Sequence, residues 1–153
     1  MLLLGLMLAG CAMPQRAAGP AAPAARGLGV LPPQGAPRAG CALYLYTSGP
    51  GQALVLAADS STGVARISLD GVATDLPFAG FEGVPRSGFS PRMRYASEAA
   101  AIDLDLDMDD RRDMTGGAAI ERGALRLDRP GGDSIALPVK GVIACVPEPQ
   151  AKP

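Results

Sequence analysis

The sequence predicts an all-β fold, a small antiparallel barrel or sandwich of about 7–9 short strands, preceded by a disordered tether. Three observations carry this expectation. Segments alternating between apolar and polar residues recur along residues 41–147. Clusters of Gly, Pro, Asp and Ser separate them at short intervals. No stretch keeps a helical period for more than about two turns, and no internal repeat is present.

The elements follow in order. CALYLYT (41–47) and ALVLAA (53–58) are apolar runs split by the turn cluster Ser48-Gly49-Pro50-Gly51. In the first, Leu43 and Leu45 take one face and Tyr44 and Tyr46 the other, an arrangement that suits a packed outer rim. VARISLD (64–70) sets Ala65, Ile67 and Leu69 against Arg66, Ser68 and Asp70. Asp70-Gly71 is a hairpin signal, and VATDLPF follows it. RMRYAS (92–97) turns Arg92 and Arg94 outward. AIDLDLDMD (101–109) alternates cleanly, with Ile102, Leu104, Leu106 and Met108 inward. ALRLDR (124–129) continues the pattern, Pro130-Gly131-Gly132-Asp133 turns the chain, and SIALPVKGVIAC (134–145) closes it.

Between these strands, PFAGFEGVPRSGFSP (77–91) has no period and holds all three phenylalanines. Long irregular loops are uncommon in compact domains and many are functional, and aromatic residues and arginine are favoured interface anchors. Phe81, Arg86 and Phe89 are therefore candidates for a partner-binding loop. The alternative is that the phenylalanines turn inward and plug one end of the barrel.

Composition excludes several functions. The 14 basic residues nearly balance the 15 acidic ones, which argues against nucleic acid as a partner. There is no histidine, so the usual general base, the commonest metal ligand and every Ser-His or Cys-His catalytic arrangement are missing. There is no tryptophan, and aromatic residues make up only 4%, too few for a typical stacking platform. No cofactor is expected. Asp103, Asp105 and Asp107 line one strand face, but neither register supplies the glycine at position six and glutamate at position twelve of a calcium loop. They read as a solvated face opposite arginines such as Arg92, Arg94 or Arg126, and no metal site is expected. Glu82 and Glu98 are the carboxylates a hydrolase reading would need, yet nothing in the sequence brings them together.

The first residues carry an address. LLLGLML (2–8) has the length of a signal-peptide apolar region and is far shorter than the roughly 20 residues that span a bilayer. Leu8-Ala9-Gly10-Cys11 follows and resembles the lipobox of bacterial lipoproteins. That resemblance implies a lipid thioether on Cys11, cleavage just before it, and an acylated cysteine as the mature N-terminus. Several acyl chains on one residue anchor firmly, each buried methylene contributing about 0.8 kcal/mol. No Lys or Arg precedes Cys11 and the leader is short, which suggests a start codon upstream. Ala12 after the cysteine points to the outer membrane facing the periplasm of a Gram-negative envelope. The competing reading is a buried N-terminal helix with a chance cysteine.

The expected organisation is a signal peptide over 1–10, a lipidated Pro/Ala/Gly-rich tether over 11–40, a β domain over 41–147 and a disordered tail over 148–153. A lipobox implies an oxidising compartment, where Cys41 and Cys145 would pair and join the first strand to the last. Two buried free thiols are the alternative.

A lipobox, a tether and an all-β domain of about 100 residues closed by terminal cysteines together resemble the membrane-bound inhibitors of c-type lysozyme, which are small barrels. ARISLDGVATDL and the final strand ending at Cys145 carry that resemblance. It implies inhibition through a loop of the form S-x-S-G-x-x-Y. This chain reads Ser87-Gly88-Phe89-Ser90-Pro91-Arg92-Met93-Arg94-Tyr95 there, so no inhibitory residue carries over. The expectation is a non-enzymatic envelope lipoprotein that partners the membrane through lipid and another envelope protein through its β domain. Lysozyme inhibition is the first alternative and carboxylate-based hydrolysis the second.

Overall fold

A computed structural model describes residues 27–109, 116–132 and 134–146. These residues contain no helix. They form nine strands: β1 (Leu28–Gly29), β2 (Cys41–Thr47), β3 (Leu54–Asp59), β4 (Val64–Leu69), β5 (Val72–Glu82), β6 (Arg92–Ala96), β7 (Ala101–Asp109), β8 (Gly117–Asp128) and β9 (Ile135–Cys145). From β2 to β9 each strand pairs antiparallel with the next in sequence, and β9 pairs back onto β2. The result is a closed eight-stranded up-and-down barrel, with β1 added against β4. Closure removes the open sheet edges that a sandwich of the same strands would have had to protect.

The alternation read from the sequence is the alternation of the wall. Leu43, Leu45, Leu56, Ile67, Leu76, Ile102, Leu125, Leu127, Val139 and Ile143 are fully buried and meet in one core. An eight-stranded barrel is about as wide as such side chains can fill. Asp70 and Gly71 both have positive φ (49° and 84°), the conformation a two-residue type I′ hairpin requires, and they join β4 to β5. Register shifts in β2–β3, β5–β6, β7–β8 and β8–β9 add the local bends a small barrel needs to close.

Gly141 marks where the wall is tightest. It pairs with Leu45 across the β2–β9 seam. A Cβ there would stand 2.0 Å from the Tyr44 carbonyl oxygen and 3.0 Å from a Leu45 methyl. Because the first obstacle is backbone, no rotamer change relieves it. Gly141→Ala is expected to destabilise the domain by about 1–3 kcal/mol or more, seen as a lowered thermal midpoint. Gly35→Ala is the matched control, since its Cβ would meet nothing within 4 Å. Equal midpoints for the two variants would contradict this account of the seam.

Cys41 and Cys145 lie opposite each other on that same seam and are bonded, with an S–S distance of 2.07 Å. The disulfide read from the sequence is therefore present, and the alternative of two free thiols does not hold.

The folded part begins earlier than the boundary at residue 41. Leu28 and Gly29 pair with Leu69 and Ser68 of β4, and the Leu31 amide donates to the Leu54 carbonyl at 2.8 Å. Leu28 and Leu31 are only 2% and 3% exposed. The chain then crosses the outside of β2, where the Tyr44 hydroxyl donates to the Gly35 carbonyl at 2.6 Å, and reaches Cys41 at the other end of the barrel. Residues 27–40 thus belong to the folded part and are not tether: 27–31 join the wall, with Leu28 in the core, and 32–40 form a strap across its outside. The reason is local: Leu28, Val30 and Leu31 give this piece apolar surface that the Ala/Pro stretch before it lacks. ALVL is a continuous apolar run because a register shift against Leu45 and Tyr46 leaves the consecutive Val55 and Leu56 both buried in the core, while the Leu54 carbonyl accepts from the Leu31 amide. The signal peptide, Cys11 and residues 12–26 lie outside the described residues, as does the tail from Pro147 onward.

Candidate functional site

The segment 77–91 is half strand. β5 runs on through Phe78 and Phe81 to Glu82, paired only with β6 beyond Pro77, where its pairing with β4 ends. A bulge between Phe78 and Gly80 puts one extra residue into β5. That single residue shifts the alternation out of phase and erases the period by which a strand is recognised.

The remaining loop closes the barrel end that carries the disulfide. Arg86 to Phe89 form a miniature hairpin: the Arg86 amide donates to the Phe89 carbonyl at 2.6 Å and the Phe89 amide to the Arg86 carbonyl at 2.9 Å. Ser87 and Gly88 at its tip have φ of 51° and 79°, again type I′. Gly88 lies so close to Ser60 in the β3–β4 turn that a Cβ would fall 2.5 Å from the Ser60 Cβ. The hairpin thereby drives Phe89 inward, where it is 1% exposed, with Ser90 buried beside it.

Phe81, Arg86 and Phe89 consequently do not form one binding surface. Phe89 is the plug of the barrel end, so its place in a partner-binding loop is corrected. Phe81 and Arg86 are exposed, as are Phe78 and Val84. Phe81 packs against Phe78 with ring centroids 6.2 Å apart, and Phe78 meets the edge of Tyr95 at 5.6 Å. The inward-plug alternative thus holds for Phe89 and fails for the other two phenylalanines.

Tyr95 points into the barrel and is 2% exposed. Its hydroxyl donates to the Met93 sulfur at 3.9 Å, and burial pushes its phenol up to about 12. A raised phenol stabilises the fold while neutral. That contribution is complete below the ordinary value of 10.0 and is lost as pH rises through 12. Wild-type protein is expected to lose on the order of 1 kcal/mol between pH 8 and pH 11 through this group. Tyr95→Phe should lose less over the same range, and parallel losses in denaturant titrations of the two proteins would refute the assignment.

The acidic face of β7 is matched by arginines. Asp103 pairs with Arg94 at 2.6 Å, Asp105 lies 3.8 Å from Arg92, and Asp107 is 3.0 Å from Arg122. Arg92 also meets Glu82 at 3.0 Å. Arg126 stands opposite Asp103 in register and lies 3.1 Å from Asp128. On the neighbouring wall Arg66 grips Asp75 with two bonds, at 2.7 and 2.8 Å, and holds that carboxyl below the usual range. These pairs are exposed, so each contributes little to stability. Together they form a ladder of alternating charge around the barrel. Glu82 and Glu98 do not converge: one is paired with Arg92 at the start of β6, and the other lies in the turn after its end, roughly 20 Å away at strand rise.

Tyr44 and Tyr46 are on the outer face, half-buried, as the alternation with Leu43 and Leu45 required. Their cover, Leu31 to Ala39, was not legible as structure. The only signal was a Leu-Gly-Val-Leu cluster ahead of two prolines.

Comparison of the chain with protein-family models, with curated proteins and with solved structures finds no match.

Proposed function

We propose that this chain is a lipid-anchored envelope protein whose barrel is a non-catalytic module for binding or structural support in the periplasm. The observation that carries the reading is Leu8-Ala9-Gly10-Cys11 directly after an apolar run. The Cys41–Cys145 bond supports it, because structural disulfides persist in oxidising compartments. A wall in which leucines fill the interior and arginine–carboxylate pairs cover the outside suits a rigid scaffold. With the described fold starting by Gly27, a polyproline tether over residues 12–26 would reach about 47 Å from the lipid at ~3.1 Å per residue.

Metabolic labelling with an alkyne fatty acid, followed by fractionation, tests the anchor. The wild type should carry label and sediment with membranes, and Cys11→Ser should do neither. Label retained by Cys11→Ser would end the lipobox reading. Crosslinking of the tagged full-length protein in cells then tests the binding role. Envelope proteins captured by the wild type and lost in Cys11→Ser are the expected result.

Inhibition of c-type lysozyme is the second reading. A closed barrel with bonded terminal cysteines favours it. Tyr95 and scattered serines are all that match the inhibitory loop, and the burial of Tyr95 and Ser90 counts against it. Added at equimolar dose, the protein should then abolish lysozyme activity, and full activity in excess protein would dismiss this reading.

A further inference from the structure

The strap does more than join the N-terminus to the barrel. Between Leu31 and Cys41 it carries Pro32, Pro33 and Pro37, whose rings fix φ near −65° and predispose it to an extended polyproline path. It lies across the outer face of β2, where Tyr44 and Tyr46 stand side by side. Tyr44 gives its hydroxyl to the Gly35 carbonyl, a bond an extended proline-rich backbone accepts readily because few of its carbonyls are used internally. The fit is loose. Most residues from Pro32 to Gly40 are exposed, and among the described residues they are tied to the wall by the Tyr44 hydroxyl on Gly35 and, at the far end, by the Val146 amide on the Gly40 carbonyl at 2.9 Å. Beside the strap lies a depression of about 520 Å³ lined by Leu31, Pro33, Tyr44, Tyr46, Gln52 and Leu54. The firm attachments are elsewhere, at Leu28 and Leu31 on one side and at the Cys41–Cys145 bond on the other. Lifting the segment between them would break the Tyr44 bond and leave these attachments in place.

We propose that the Tyr44–Tyr46 face is a recognition site for extended proline-rich peptide, filled in cis by residues 32–37 and open to a proline-rich segment of another protein when the strap lifts. The strap itself, bonded to Tyr44 through Gly35 and sharing one depression with both tyrosines through Pro33 and Pro37, indicates the chemistry of the occupant. Aromatic ledges select proline because a stiff ligand loses little entropy on docking. A tethered strap competes at an effective concentration in the millimolar range, so a partner must be tight, multivalent or helped by strap release. The proposal does not depend on the lipid anchor.

The probe is a synthetic peptide with the strap's own sequence, VLPPQGAPR, together with a version whose three prolines are alanine. Each is titrated into full-length protein and into a strap variant, P32A/P33A/P37A, with NMR shifts of the Tyr44, Tyr46 and Ala57 region as readout. The triple variant leaves every core residue in place, and an unchanged thermal midpoint would verify that it folds. Expected is saturable binding of the proline peptide, at least tenfold tighter to the triple variant than to wild type. Adding Tyr44→Phe to the triple variant should weaken it several-fold. No saturable shift in either protein, equal binding of the alanine peptide, or shifts confined to another face would each overturn the proposal.

Discussion

Removing the Cys41–Cys145 bond, as Cys41→Ala/Cys145→Ala, is expected to lower the unfolding free energy by up to about 4.7 kcal/mol. The bond spans 104 residues and encloses the whole barrel. In the chain-entropy model its main effect is on the unfolded ensemble, which it forbids from separating β2 and β9. Those strands are the most distant in sequence of any pair in the sheet, and their ladder of seven residue pairs is what closes the barrel. Without the bond, that ladder must form at the full entropic cost of a chain-length loop. The ladder and the core remain in place, so the variant should still fold, with an earlier denaturation midpoint and faster amide exchange along β2 and β9. A loss below about 1 kcal/mol would mean that the unfolded chain already keeps its ends together.

Phe89→Ala is expected to destabilise the domain by about 3–5 kcal/mol, the range for truncating a fully buried aromatic residue. The side chain is 1% exposed, and the hairpin that places it is fixed by two backbone bonds and by the contact of Gly88 with Ser60. The barrel end cannot easily collapse into the vacated space, so the cavity contribution is retained. Phe81→Ala is the informative comparison. Phe81 is 53% exposed, and its truncation should change stability by about 0.5 kcal/mol or less. Measured by denaturant titration, a reversed order would restore Phe89 to the surface and undo the assignment of Phe89 as plug. If the Phe78–Phe81 surface serves a partner, Phe81→Ala should weaken capture in the crosslinking experiment while leaving the fold intact.

Much of this protein was legible in its residues. Strict alternation in VARISLD and AIDLDLDMD determined which side chains face the core, because successive strand residues point to opposite faces. Asp70-Gly71 determined a hairpin, because both positions need positive φ. Cysteines at both ends of the strand-rich region determined how the domain closes. What the tertiary structure alone decided are the features that depend on a neighbour distant in sequence. The extension of β5 was hidden by a bulge whose register is defined only against β6. The inward turn of Phe89 depends on Ser60, 29 positions earlier, at the tip of another turn. The strap adheres because Leu28 and Leu31 find β4 and the start of β3, and its proline-rich composition by itself predicts the reverse. Alternation and turn chemistry act within a few residues and can be read along the chain, whereas burial depends on which surfaces the closed barrel brings together.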